Sequence, residues 1–209
     1  MFDGSIQRIP PSAARIALPR GAAALSTLLV FFFAALSAPG AETQLGAKVP
    51  GFRLTDDGGK VHTLDDYAGK LVVLVFWSFK CPVSLAYDER MAALYTRYSN
   101  RGVVVLAVAS NKNESPVEVR RNAENLKMPF PVLLDQDGML AARLGATHTP
   151  SVVILDGEAT LRYRGAIDNN KRPAERGRIA YVEEVLDALL AGRPTPHAES
   201  EVFGCSIKR

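Results

Sequence analysis

The chain has 209 residues, 47% of them hydrophobic and 22% charged, with a formal net charge of +3 and two cysteines. That length and apolar content suit one domain with a buried core plus appendages, and they exclude a disordered chain. No stripe of Lys and Arg interleaved with aromatics occurs, which argues against a nucleic-acid partner.

Arg8, Arg15 and Arg20, with Asp3 as the sole acid, precede an apolar run from Gly21 to Leu36, and the small residues Ala38, Gly40 and Ala41 lead into Glu42-Thr43. A basic front, an apolar stretch and a small-residue exit make the pattern of a secretory signal, so residues 1–41 read as a targeting segment cleaved near Gly40 or Ala41. The alternative is an uncleaved anchor, because the run is nearly long enough to span a bilayer. Membrane contact is expected only through this segment. Without it three arginines and one aspartate are lost, leaving +1. Export to the periplasm is the expectation, and in such an oxidising compartment Cys81 and Cys205 can form or exchange a disulfide.

In the remaining chain, Phe52-Arg53-Leu54 and Val61-His62-Thr63-Leu64 flank the turn signal Asp56-Asp57-Gly58-Gly59 and predict an N-terminal hairpin. Leu71–Phe76 and Gly102–Ala109 are apolar runs without alternation, as strands covered on both faces should be. Between them, Leu85, Met91, Leu94, Tyr95 and Tyr98 recur at helical spacing and predict one helix from Pro82 to Tyr98 facing the core. Proline suits its first turn. Ser115 to Lys127 reads as a polar helix with Ser115 as N-cap, Phe130–Leu134 as a short strand and Met139–Leu144 as a short helix. Ser151–Leu155 and Thr160–Tyr163 are joined by a hairpin-length link and should pair antiparallel. Ala180–Ala191 is amphipathic, with Tyr181, Val185, Leu186, Leu189 and Leu190 inward and Gly192 as C-cap. A strand–helix–strand unit and an antiparallel pair predict an α/β domain over residues 42–192, a mixed sheet flanked by helices, with a tail over 193–209 carrying Cys205.

Cys81 sits where the strand Leu71–Phe76 has ended and a helix begins. Backbone N–H groups at a helix start and the adjacent Lys80 ammonium both favour thiolate over thiol there, which points to a redox nucleophile. Ser84 stands where a C-x-x-C pair would hold its second sulfur. Ser78, three residues before Cys81, offers a hydroxyl to the thiolate or to a bound oxygen species.

Phe76-Trp77-x-x-x-Cys81-Pro82-x-Ser84 before a helix, with Thr149-Pro150 before a later strand, resembles the thioredoxin-like redoxins of the alkyl hydroperoxide reductase/thiol-specific antioxidant superfamily. The resemblance runs from Leu45 to about Leu190. It implies a thioredoxin-like fold in which the Thr149–Pro150 bond is cis and Pro150 faces Cys81, helping to dock an extended polypeptide or a mixed disulfide. Tyr163-Arg164-Gly165-Ala166-Ile167-Asp168 and the ending Gly204-Cys205-Ser206-Ile207-Lys208 are similar to a narrower peroxiredoxin-like group. The peroxidase pattern itself is incomplete. Ser78 fills its hydroxyl position, but Leu74 replaces its proline, and only Arg164 or Arg143 is available in place of its arginine.

The expected activity is that of a thiol oxidoreductase. Cys81 attacks a disulfide or is oxidised by a peroxide, and Cys205 or an external thiol resolves the intermediate. A permanent structural disulfide and a thiol pairing between chains are the alternatives for Cys205; an intramolecular bridge requires the two Cα atoms to come within about 7 Å. The competing function is a non-catalytic binding module that captures a partner or delivers copper. His148 beside Cys81 would suit copper, but Ser84 is a poor ligand for a soft metal, and His62 and His197 lack ligand spacing. No metal and no cofactor is expected. Partners are a protein thiol or disulfide, or a peroxide; oligomeric state cannot be read from the chain.

Overall fold

The apolar run at residues 71–76 becomes the middle strand of the molecule. The computed structural model describes residues 42–170 and 179–209; the targeting segment expected over residues 1–41 lies outside them. The predicted hairpin forms from β1 (Arg53–Thr55) and β2 (Val61–Thr63), antiparallel with Leu54 opposite His62. Its turn is closed by Asp56, whose side chain accepts the Lys60 N–H at 2.8 Å. β3 (Leu71–Phe76) follows, then a short helix α1 (Pro82–Leu85), α2 (Asp88–Tyr98), β4 (Val103–Ala109) and α3 (Pro116–Leu126). The chain continues through β5 (Val132–Leu134), α4 (Met139–Arg143), β6 (His148–Thr149), β7 (Ser151–Leu155), β8 (Leu161–Gly165), α5 (Tyr181–Leu190) and β9 (Cys205–Ser206).

Five strands form a mixed sheet in the order β5-β4-β3-β7-β8. β3 is parallel to β4, and β4 to β5, while β7 is antiparallel to both β3 and β8. The lack of alternation in β3 has a direct cause. Val73 and Val75 face a core shared with Met91 and Leu94 of α2, Val119 of α3 and Val185 of α5, whereas Val72, Leu74 and Phe76 face Phe52, Leu64 and Leu140. Both faces are dry, so both sets of alternating side chains must be apolar.

Several local signals hold. Ser115 caps α3 in a capping box with Glu118, and Pro116 opens the helix. Gly192 takes φ +65 just past the end of α5, its N–H bonded to the Leu189 carbonyl. The single helix expected from Pro82 to Tyr98 is instead two. It breaks at Ala86–Tyr87, where the Tyr87 side chain, 1% exposed, turns inward and its hydroxyl donates to Asp168 Oδ1 at 2.7 Å. That turn leaves Leu85, expected in the core, 40% exposed.

Candidate active site

β3 delivers the Cys81 segment to one end of the sheet. Trp77 N still pairs with Val108 O of β4 at 3.0 Å; beyond it the chain leaves the sheet through Ser78, Phe79 and Lys80. Cys81 takes an extended conformation as the N-cap of α1, its side chain 1% exposed. The loop before it is clamped from the side by Glu114, also 1% exposed, whose Oε1 accepts the N–H groups of Phe79 at 2.7 Å and Lys80 at 3.2 Å. Backbone donors leaving a sheet need acceptors when buried, and here one carboxylate serves two.

The opposite wall is the Thr149–Pro150 segment, whose peptide bond is cis. Cys81 Sγ lies 3.2 Å from the Thr149 carbonyl oxygen, to which its S–H can donate. Against this wall β9 adds as a strand, pairing His148 with Ser206 and Thr149 with Cys205. The pairing sets Cys205 Sγ 2.8 Å from Cys81 Sγ, with both thiols free. Close approach depends on Gly204: at φ +145, a Cβ there would come 2.1 Å from the Thr149 oxygen. Beyond the cysteine, Ile207 N bonds to Thr147 O at 2.9 Å and the Ile207 side chain is buried with Leu140 and Leu144. The tail is therefore seated on both sides of its thiol.

Electrostatics make the two sulfurs unequal. Burial acts to raise the Cys81 thiol, but the Cys205 S–H, the backbone N–H groups of Ser84 and Cys205 and the Thr149 side chain outweigh it, and the net shift is downward. Cys205 moves the other way, pushed up to about 11 by its hydrogen bond to Cys81, by burial and by the Cys81 charge. Of the two sulfurs, Cys81 is therefore the one that gives up its proton more readily. Cys81 is also the more deeply buried of the two sulfurs.

The remaining residues singled out in the sequence fall into place differently. Lys80 was expected beside the thiolate. Its ammonium instead bonds the Asn113 carbonyl and Glu118 Oε1 at 3.2 Å, because α3 presents an acidic first turn nearby. Ser78 was expected to reach the thiolate; its hydroxyl accepts the Lys80 N–H at 3.2 Å and shapes the loop. Pro150 follows the carbonyl that meets Cys81, and its Cδ lies against Gly204 of the tail. Arg164 is engaged by Glu42 and Glu199, and Arg143 by the Gly51 carbonyl at 3.1 Å, so neither stands at Cys81. His148 Nδ1 meets the Thr147 hydroxyl at 2.9 Å; His62 is held by Asp56 and Tyr67, and His197 by Glu184. Among the described residues no group of three or more His, Cys, Asp or Glu is placed to hold a metal ion. Ser84 Oγ is buried and has no hydrogen-bond partner among the described residues.

Asn111 and Glu114 were not singled out from the sequence. A signal existed: they follow β4 directly, and in a parallel pair the segments after adjacent strands emerge at the same end of the sheet. A polar residue there lies beside whatever follows β3.

The model of the AhpC/TSA family matches residues 45–164. Thiol-disulfide oxidoreductase ResA of Geobacillus thermodenitrificans is 33% identical over 112 residues, 54% of this chain and 63% of that protein's length. A conserved protein from Geobacillus kaustophilus of known crystal structure superposes with a TM-score of 0.73 at 32% identity, covering 79% of this chain and 92% of that one. The thioredoxin domain of a thiol-disulfide oxidoreductase from Bacteroides vulgatus superposes with a TM-score of 0.52 at 17% identity, covering 59% and 89%, a likeness of fold alone.

Proposed function

The chain belongs to the AhpC/TSA family, and from that premise we propose that it is a thiol-disulfide oxidoreductase with Cys81 as nucleophile and Cys205 as resolving thiol. The observation that carries the reading is the 2.8 Å contact between a buried thiol of lowered pKa and a tail thiol of raised pKa. The Cys81 thiolate attacks one sulfur of a partner disulfide. A Cys81–partner disulfide forms, and the partner's other sulfur leaves as a thiolate that takes a proton from water. Cys205, on losing its proton to water, attacks Cys81 Sγ, forms the Cys81–Cys205 bond and expels the second partner thiolate. The partner is reduced by two electrons and the protein oxidised by two; an external dithiol returns it to the reduced state.

The pKa ordering times the second step. Cys205 is held protonated by the Cys81 thiolate beside it. Once Cys81 enters a mixed disulfide that charge is gone, the Cys205 pKa falls, and the resolving thiolate becomes available when there is something to resolve. The sulfurs then have only about 0.8 Å to close to reach disulfide bonding distance.

Disulfide exchange is favoured over peroxide reduction because the arginines available to hold a peroxide, Arg164 and Arg143, are committed to other partners. The order of residues 1–41 supports export to the periplasm, where such exchange has substrates. Among the described residues no helix is long and apolar enough to cross a membrane. The test is turnover of a peptide disulfide with a regenerating dithiol, with hydrogen peroxide in parallel. Cys81→Ser should abolish turnover and Cys205→Ser should stall with the peptide linked to Cys81. Binding of the peptide without any reaction in the wild type would convert the reading to a binding module.

A further inference from the structure

Two cysteines from distant parts of the chain meet at one point, and the segments that carry them share a single side-chain bridge. Glu114 Oε1 holds the nucleophile loop through the Phe79 and Lys80 amides. Its other oxygen, Oε2, accepts the Asn111 side-chain N–H at 3.1 Å. Asn111 Oδ1 in turn accepts the backbone N–H of Lys208, three residues past Cys205, at 2.7 Å. The same loop meets the tail again where Lys112 N bonds to Lys208 O at 2.9 Å. Asn111 and Glu114 are 3% and 1% exposed, and the bond between their side chains is buried.

We propose that Asn111 and Glu114 are positioning residues that set how tightly Cys205 is presented to Cys81, and with it the redox equilibrium of the pair. The proposal rests on the resolving role of Cys205 given above. Neither side chain touches a sulfur; each acts by fixing the backbone that holds one. The amide is the right group for the Asn111 position because it must donate toward Glu114 and accept from Lys208 at once. A carboxylate there would face Glu114 with like charge, and an aliphatic side chain would release both segments. Fixing two thiols in a reactive geometry raises their effective concentration relative to an external thiol. Loosening either segment should therefore make the intramolecular disulfide easier to reduce.

The experiment equilibrates the full chain with glutathione buffers: reduced protein plus oxidised glutathione gives the Cys81–Cys205 disulfide plus two reduced glutathiones, quantified by alkylation and mass. Asn111→Ala, which removes both the bond to Glu114 and the bond from Lys208, is expected to lower the equilibrium constant about tenfold, a rise of about 30 mV in potential for this two-electron couple. Glu114→Gln keeps an oxygen for the Phe79 and Lys80 amides but turns an N–H toward the Asn111 N–H, and should lower it by a similar factor. It serves as the readout if Asn111→Ala does not fold. Asn111→Ala combined with Glu114→Gln should fall little further than either alone, since both break one bridge. A constant within twofold of the wild type in the folded variants, even with a lower urea midpoint, would reduce both residues to ordinary structural ones and overturn the proposal. Failure of the wild type itself to form the Cys81–Cys205 disulfide would strike instead at the resolving role.

Discussion

Cys81 Sγ and Cys205 Sγ lie 2.8 Å apart across 124 positions of sequence. The contact is the product of three placements: the clamped loop after β3, the Thr149 carbonyl wall, and a tail strand that a glycine allows to come close.

The downward shift of the Cys81 thiol has a specific source. Its pKa is lowered in spite of burial, with the Cys205 S–H foremost among the donors that lower it. A thiolate exists above its pKa, so a lowered value extends reactivity toward neutral pH. Site-resolved iodoacetamide labelling against pH should give Cys81 a midpoint below the ordinary thiol value of about 8.5. Cys205→Ala, which keeps much of the burial and removes the donor, should move that midpoint upward. Cys205→Ser retains a hydroxyl donor and should move it less.

Lys80 contributes little to this. With its ammonium on Asn113 and Glu118, Lys80→Ala should leave the Cys81 labelling midpoint where it is in the wild type. Its side chain is 44% exposed, so the change in unfolding free energy should stay within about 0.5 kcal/mol. A clear upward shift of the midpoint would restore the role that sequence adjacency suggested.

The seat of the tail depends on Gly204. A methyl group there meets the Thr149 oxygen, and that φ is one L-residues rarely adopt. Gly204→Ala should therefore cost about 1–3 kcal/mol of local strain, relieved by lifting the strand. Cys205 alkylation should then accelerate about tenfold or more at pH 8, because the hydrogen bond and charge that hold its pKa near 11 are lost together. An unchanged rate would show that the tail's other anchors suffice.

Tyr87 fixes the break between α1 and α2. Its buried hydroxyl bonds Asp168 at 2.7 Å, and Arg90 also reaches that carboxylate. Tyr87→Phe should lower unfolding free energy in urea by about 1.5–3 kcal/mol, the range for a hydrogen bond to a charged group. A loss below about 0.5 kcal/mol would mean that the inward turn is set by ring packing alone.

What could be read from the sequence follows from how local each signal is. β3 and β4 announce themselves because both faces are apolar, and Ser115-Pro116 with Glu118 announces a helix start, each within a few residues. The cis Thr149–Pro150 bond came only from the resemblance to redoxins; the dipeptide alone reads as a turn. Lys80 was misplaced because adjacency along the chain fixes neither the direction of a long side chain nor its competitor, here the first turn of α3. Tyr87 broke a helix that periodicity drew as continuous, since its partner Asp168 is 81 positions away. Asn111 and Glu114 are legible only through their place after β4, beside the segment that follows β3, while β9 pairs with a segment that only the fold brings near it.

Resolution of Cys81 by Cys205 within one chain is the step on which the proposed function rests. The direct measurement is non-reducing peptide mass mapping of the protein after one equivalent of oxidised glutathione, at a concentration where chains seldom meet. A single cross-linked species joining the Cys81 and Cys205 peptides in a monomeric mass is expected. Glutathione held on Cys81 with Cys205 still free, or a Cys205 link between two chains, would contradict it.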